Sequence, residues 1–120
     1  ISVVSDQFGC PTLAGDLAAA ILKIISSQAD SHDLEIYHFA NKGKISWYDF
    51  ACEILRLAGR NCLIRPIATK DYPTKANRPA YSVFDLSKTE KQLQITIPDW
   101  QESLKKAMPE IIYNYEHDIR

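Results

Sequence analysis

The sequence predicts an α/β fold, with a small mixed, mainly parallel sheet and flanking helices. Three observations predict it: a length typical of one domain, a balanced composition, and strand and helix patterns that alternate with little spare loop. A chain of 120 residues buries roughly two thirds of its unfolded surface in one core. Hydrophobic residues make up 46% and charged residues 24%, as in ordinary globular domains. Alternating strands and helices favour parallel pairing.

Four short apolar stretches are predicted as strands: residues 1–4, 36–40, 63–67 and 81–84. The first has no initiator Met before it. Because an unpaired first strand would fray, we expect Ile1 to be the cut end of a longer protein. The connection before the last strand, residues 68–80, is long and partly basic, and ordered loops of that length are often functional.

Four helices are predicted from apolar periodicity and capping residues: residues 13–27, 47–58, 88–93 and 100–108. Thr12 is the expected N-cap of the first helix. Ser46 and Ser87 each have an acidic residue three positions later, which predicts capping boxes. Gly59 is expected to end the second helix. Residues 5–12 and 28–35 are predicted as loops.

Charge and spacing exclude several classes of function. Lys and Arg total 14 and Asp and Glu 15, so the formal net charge of −1 offers no concentrated positive surface to a nucleic acid. No apolar run approaches the ~18–20 residues of a membrane span, and no signal-peptide pattern is present. Cys10, Cys52 and Cys62 lack metal-ligand spacing, which predicts reduced thiols in a cytoplasmic protein.

The catalytic motifs of nucleotide-dependent enzymes are missing from the sequence. The four glycines are too far apart for a dinucleotide-binding or phosphate-binding loop. None of the six tyrosines has a lysine four residues later, the spacing of the Tyr–Lys pair of short-chain dehydrogenases. The three histidines lack zinc-ligand spacing. We therefore predict no catalytic, cofactor-binding or metal-binding residue in this chain.

The motif DQFGCPT at residues 6–12 resembles the dTDP-4-dehydrorhamnose reductase family of extended short-chain dehydrogenases. The likeness continues in order through DLA at 16–18, SWY at 46–48, YPT at 72–74 and RP at 78–79, and covers residues 3–108. In that family these segments form the C-terminal, substrate-binding part. The family's glycine-rich NAD(P) loop and Tyr-x-x-x-Lys pair lie upstream of them.

The resemblance implies a C-terminal substrate-binding domain at residues 1–112 that lacks the Rossmann core, followed by a frayed tail at residues 113–120. The implied ligand is a dTDP-sugar. The parent enzyme would reduce dTDP-4-dehydro-L-rhamnose to dTDP-L-rhamnose with NADPH or NADH, for cell-envelope polysaccharide. This chain alone is expected to hold no cofactor and to be inactive. We expect no nucleic-acid or membrane partner, and any homodimer to form through an uncovered sheet edge.

Arg78 is the candidate for binding the diphosphate, because a guanidinium presents a rigid fork of donors to anionic oxygens. The alternative is a structural salt bridge, with Asp85 as its partner. Lys75 and Asn77 flank Arg78 and are candidates for added charge or hydrogen bonds. Their alternative is a solvated position on the loop.

Gln7 is a candidate hydrogen-bond partner of the nucleotide, and Phe8 a candidate packing surface for one of its rings. The alternative for Phe8 is burial as an anchor of the loop. Trp47 and Trp100 fall on apolar helix faces, and we expect both in the core.

Two other functions stay open on the sequence alone. The same extended fold serves as a non-catalytic, cofactor-binding regulatory subunit of methionine adenosyltransferase, which an upstream Tyr–Lys pair would distinguish from the reductase. The other is a free-standing binding module that uses Arg78 and Lys75, which a start codon immediately before Ile1 would favour.

Overall fold

The computed structural model describes residues 1–27 and 34–118, and it has the mixed α/β class that the sequence predicts. In that part of the chain the helices are α1 (Ala14–Ser27), α2 (Trp47–Leu57), α3 (Ser87–Leu93) and α4 (Trp100–Asp118), with a 3₁₀ turn at Thr69–Asp71. The strands are β1 (Ser2–Val4), β2 (Phe8–Gly9), β3 (Ile45–Ser46) and β4 (Arg65–Ile67). Most of the predicted loop 28–35 lies outside the described residues.

The strands form two small sheets. β1 and β4 pair in parallel, with Ser2 opposite Arg65 and Val4 opposite Ile67. β2 and β3 pair antiparallel. The carboxyl ends of parallel strands meet at one edge of a sheet, so the residues that follow β1 lie beside those that follow β4. This edge carries the candidate site.

The apolar core lies between α2 and α4. Trp100, Leu104 and Met108 form its buried cluster, which confirms the prediction for Trp100. Phe50 of α2 packs edge-on against Trp100, with ring centroids 5.8 Å apart. This contact fixes the direction of α2 and therefore the position of its first turn.

The helix α4 continues past its predicted end at residue 108, through Pro109 to Asp118. Proline removes one helical hydrogen bond, but Ile112, in the turn beyond it, packs against the apolar core and offsets that loss. Tyr113 and His117 stack in the last turns, with ring centroids 4.0 Å apart. Residues 119–120 lie outside the described residues, and the domain boundary after residue 112 stays a prediction.

The start of α2 follows the predicted capping pattern. The Ser46 hydroxyl oxygen accepts a hydrogen bond from the Asp49 backbone N–H at 3.0 Å and lies 2.6 Å from the Asp49 carboxylate. Gly59 follows the helix with a φ of +61°, as expected of a left-handed stop. Trp47 is therefore held as the first residue of a well-capped helix.

Two predicted strands are wrong. At residues 36–40 the backbone carbonyls bond to α3 side chains rather than to a neighbouring strand: the Thr89 hydroxyl donates to His38 O at 2.6 Å, and Lys88 Nζ donates to Ile36 O at 2.9 Å. At residues 81–84 the described pairing is an isolated bridge between Tyr81 and Phe8. An extended stretch without a ladder partner is not a strand.

Two predicted caps are also wrong. Ser87 does not cap α3, because it is the first residue of the helix and Leu86 takes the N-cap position. Thr12 does not cap α1, because the helix begins two residues later and the Thr12 hydroxyl donates to Cys10 O at 3.1 Å. In both cases the helix begins one residue away from its predicted start, so the predicted cap is not the residue that precedes it.

The start of α1 depends instead on Asn41, whose side chain is completely buried. Asn41 Oδ1 accepts from the Leu13 N–H at 2.7 Å, and Leu13 O accepts from the Asp16 N–H at 3.0 Å. Asn41 Nδ2 lies 2.8 Å from Asp16 Oδ2 and 3.0 Å from Ser103 Oγ. One amide therefore joins the start of α1, the segment before β3 and the first turn of α4.

The apolar face of α1 is largely open in the described part of the chain. Leu17, Ile21 and Ile25 are 39%, 47% and 64% exposed. The predicted periodicity is present, but most of the face has no cover among the described residues.

No described helix is both long enough and apolar enough to cross a membrane. The three cysteines are free thiols, as expected.

Asn41→Ala should lower the free energy of unfolding by about 3 kcal/mol, because it leaves the Leu13 N–H without its acceptor and removes one of the two side-chain donors to Asp16, the other being Ser103. Denaturant unfolding measures the change. Asn114→Ala on the exposed face of α4 is the matched control, with an expected change below about 0.5 kcal/mol. Equal stability of the two variants would contradict the role given to Asn41.

Gly43→Ala should also destabilise the chain by about 3 kcal/mol, because the added Cβ would lie 2.6 Å from Trp100 Cδ1, at a residue whose φ is +95°. Gly15→Ala is the control: nothing lies within 4 Å of its Cβ position, and alanine stabilises a helix by up to about 1 kcal/mol over glycine. Thermal unfolding should therefore shift in opposite directions, and a shift in the same direction would argue against the contact.

Candidate functional site

An open groove lies beside the parallel sheet and is bounded by Gln7, Trp47 and Arg78. It has two parts, of about 440 and 470 Å³, that share these three residues. The first part is also lined by Ser2, Val3, Val4, Tyr72 and Thr74, and the second by Phe8, Pro79 and Ser82. Each part is within the roughly 300–1,000 Å³ of small-molecule sites. We call it the Gln7–Arg78 groove.

Gln7 is held by the edge where β1 and β4 end. Its side-chain amide donates from Nε2 to Thr69 Oγ1 at 3.1 Å, and the Thr69 hydroxyl donates to Asp6 Oδ1 at 2.6 Å. The Thr69 backbone N–H also donates to the Asp6 carboxylate, at 2.9 Å. The hydroxyl bond, followed by the backbone bond, holds the pKa of Asp6 below its usual value. The charged Asp6 thus anchors the segment that carries Gln7.

Arg78 lies in the exposed connection before Pro79 and lines both parts of the groove. Among the ion pairs of residues 1–27 and 34–118, none involves Arg78. The alternative pairing with Asp85 is therefore absent, and Asp85 Oδ1 accepts from the Ser87 N–H at 2.9 Å. The Arg78 guanidinium has no acidic partner in the described part of the chain.

The other predicted residues are placed differently. Phe8 is half-buried and lines the second part of the groove, with Lys44 Nζ 5.2 Å from its ring centroid. Lys75 and Asn77 are exposed and line neither part of the groove. The structure brings together Gln7, Phe8 and Arg78, and leaves the other two on the loop surface.

Trp47 is a residue that the sequence misplaces. It is predicted in the core, but half of its surface is exposed, and it lines both parts of the groove. An apolar period on a helix does not distinguish a ring that faces the core from one that lines a cavity. The available signal was its place directly after the cap Ser46, at the helix end, where neighbouring turns cover one side only.

Two other described cavities offer less chemistry. A cleft of about 170 Å³ between the start of α1 and α4 has no charged residue in its lining. A cavity of about 410 Å³ beside the end of α2 is lined by Arg56 and Arg60, and each of these is already paired with a glutamate. Among the described residues, no group of three or more His, Cys, Asp or Glu side chains is placed to hold a metal ion. The Gln7–Arg78 groove is therefore the best candidate site on this part of the chain.

Comparison with known proteins gives a family match over most of the chain. A sequence model of the RmlD substrate binding domain matches residues 1–112. The dTDP-4-dehydrorhamnose reductase of Aggregatibacter actinomycetemcomitans is 38% identical over 113 residues, which cover 88% of this chain and 38% of that protein. The chain thus spans less than two fifths of that relative's length.

Solved structures give the same picture. A dTDP-4-dehydrorhamnose reductase from Clostridium acetobutylicum matches 92% of this chain and 38% of its own, with a TM-score of 0.84 and 38% identity. The Bacillus anthracis dTDP-4-dehydrorhamnose reductase, in complex with NADP, matches the same shares with a TM-score of 0.82 and 33% identity. These likenesses confirm the fold class as a fragment of that reductase fold.

Thr69→Val should raise the pKa of Asp6 towards its usual value, because the hydrogen bond that lowers this pKa most is lost. In the unaltered chain the folded pKa of Asp6 is depressed. Its stabilisation is therefore present above the unfolded pKa and lost as the pH falls through the folded pKa. Carboxyl NMR titration measures the change. Thr74→Val, which makes no bond to Asp6, should leave that pKa unaltered, and an unaltered pKa in Thr69→Val would be inconsistent with the network.

Proposed function

Because the chain belongs to the RmlD substrate-binding domain family, we propose that the Gln7–Arg78 groove binds the dTDP-sugar substrate of a dTDP-4-dehydrorhamnose reductase. The full-length protein reduces dTDP-4-dehydro-L-rhamnose to dTDP-L-rhamnose in the cytoplasm. A hydride from NADPH or NADH adds to the C4 carbonyl carbon, and a proton adds to its oxygen.

The observation that carries the proposal is Arg78, a guanidinium without an ion-pair partner in the described chain, in an open groove of ligand size. A diphosphate offers several anionic oxygens, and a guanidinium binds two of them at once. Because Arg78 makes no internal ion pair, binding a diphosphate breaks no existing charge contact. The buried amide of Gln7 adds a polar group on the same groove.

This chain's part in the reaction is to bind and orient the sugar nucleotide. It has neither the glycine-rich loop nor the Tyr-x-x-x-Lys pair that would hold a nicotinamide cofactor and supply the proton. Its residues therefore do not fit the cofactor, and no proton or hydride step is assigned to them. Fixing the diphosphate holds the sugar at a set distance, which lowers the entropy cost of presenting C4 for reaction.

Arg78→Ala should weaken binding of dTDP by about tenfold to a hundredfold, because a charged donor pair is lost from the diphosphate. The affinity of Arg78→Lys for dTDP should lie between those of Arg78→Ala and the unaltered protein, since lysine keeps the charge and loses the forked pair of donors. Calorimetry with the natural full-length protein measures both. Arg60→Ala removes another exposed arginine, one that pairs with Glu116 outside the groove, and should bind as the unaltered protein does.

Failure of the unaltered full-length protein to bind dTDP, or unchanged binding in Arg78→Ala, would overturn the proposal. A second readout is NADPH oxidation with dTDP-4-dehydro-L-rhamnose. Arg78→Ala should raise KM there, and the isolated 120-residue chain should show no turnover. Turnover by the isolated chain would contradict the assignment of substrate binding to this chain and of catalysis to the rest of the full-length protein.

A further inference from the structure

The Trp47 indole is half-exposed and lines both parts of the Gln7–Arg78 groove. We propose that the thymine base of the dTDP-sugar stacks on Trp47 while Gln7 Oε1 accepts a hydrogen bond from the base N3–H. This inference rests on the proposed function and deepens it, because it says how the groove selects the nucleotide. It follows from the exposure of Trp47 and from the orientation of the Gln7 amide.

The setting of Trp47 leaves its ring available. It is 50% exposed, although tryptophan is highly buried on average. Its described ring contact is with Phe50, whose centroid lies 6.4 Å away with the two planes at 71°, so Phe50 does not lie flat over the indole. Phe50 in turn packs on Trp100 in the core. The indole is therefore held at one side and open to the groove.

The other rings of the groove are poorer surfaces for a base. Phe8 has the Lys44 ammonium 5.2 Å from its ring centroid, so a cation already occupies its neighbourhood. Tyr72 lines only the first part of the groove and belongs to the exposed connection after β4. Trp47 shares both parts of the groove with Arg78. Because one deoxyribose joins the base to the diphosphate, the groups that bind them must lie close together, as Trp47 and Arg78 do.

Hydrogen bonding sets the orientation of the Gln7 amide. The Thr69 hydroxyl has one hydrogen, which it donates to Asp6, so it can only accept from Gln7. The amide nitrogen of Gln7 must therefore face Thr69. Gln7 Oε1 is left as an acceptor without a partner among the described residues, on a side chain that is 9% exposed and lines both parts of the groove.

This acceptor discriminates between pyrimidines. Thymine and uracil carry a hydrogen on N3 and donate it, whereas N3 of cytosine is an acceptor and would face Gln7 Oε1 lone pair to lone pair. A site that offers a fixed acceptor rejects a ligand that lacks the donor. The groove should therefore prefer dTDP to dCDP, although stacking on Trp47 alone would accept either base.

The test uses the natural full-length protein with dTDP and dCDP as probes. Trp47→Ala should weaken dTDP binding about tenfold, and Trp47→Phe, which keeps an aromatic face, should stay within about threefold of the unaltered protein. dTDP should quench part of the tryptophan emission, and this part should vanish in Trp47→Phe. Tyr113→Ala is the matched control, since Tyr113 is 61% exposed and lines neither part of the groove.

The outcomes separate the two proposals. If the unaltered protein binds dTDP and Trp47→Ala binds it equally well, stacking on Trp47 is overturned while the proposed function stands. The same holds if dTDP quenches Trp47→Phe as strongly as the unaltered protein. If dCDP binds as tightly as dTDP, the assignment of Gln7 is overturned. If dTDP does not bind at all, the proposed function falls and the inference falls with it.

Discussion

The buried amide of Asn41 is the interaction on which the rest of this structure depends, because it connects three segments that are distant in sequence. It binds the Leu13 N–H at the start of α1, and it contacts both Asp16 and Ser103. Burial is the strongest single influence on the pKa of Asp16 and raises it, but the bonds from Ser103 and Asn41 outweigh it and leave the pKa lowered. The chain thus keeps a charged carboxylate in its interior, and α1 and α4 are joined through it.

The two small sheets position the residues of the groove. The parallel pair β1 and β4 places Gln7 beside Thr69, so that one hydroxyl fixes both Gln7 and Asp6. The antiparallel pair places Phe8 opposite Ser46, and Trp47 follows Ser46 directly. Backbone pairing therefore supports Phe8 directly and the segments that carry Gln7 and Trp47, whereas Arg78 lies in the connection outside both sheets.

The candidate site was predictable to the extent that its residues lie in recognisable motifs. Gln7, Phe8 and Arg78 were found that way, and the structure places all three on one groove. The same reasoning selected Lys75, which lies outside the groove. A position beside a candidate residue does not fix the direction of a side chain on an exposed loop. Trp47 was misplaced because periodicity reports an apolar face and not what that face meets.

The sequence by itself determined the features whose causes are local: the α/β class, the cap at Ser46, the stop at Gly59 and the periodicity of α1. Tertiary structure decided the features whose partners lie far away in the chain. Residues 36–40 failed to become a strand because α3 side chains bind their carbonyls, across some fifty positions. The start of α1 was set by Asn41, 28 residues beyond Leu13. Local patterns state which bonds a segment can make, whereas the fold determines which competing partner is close enough to make them.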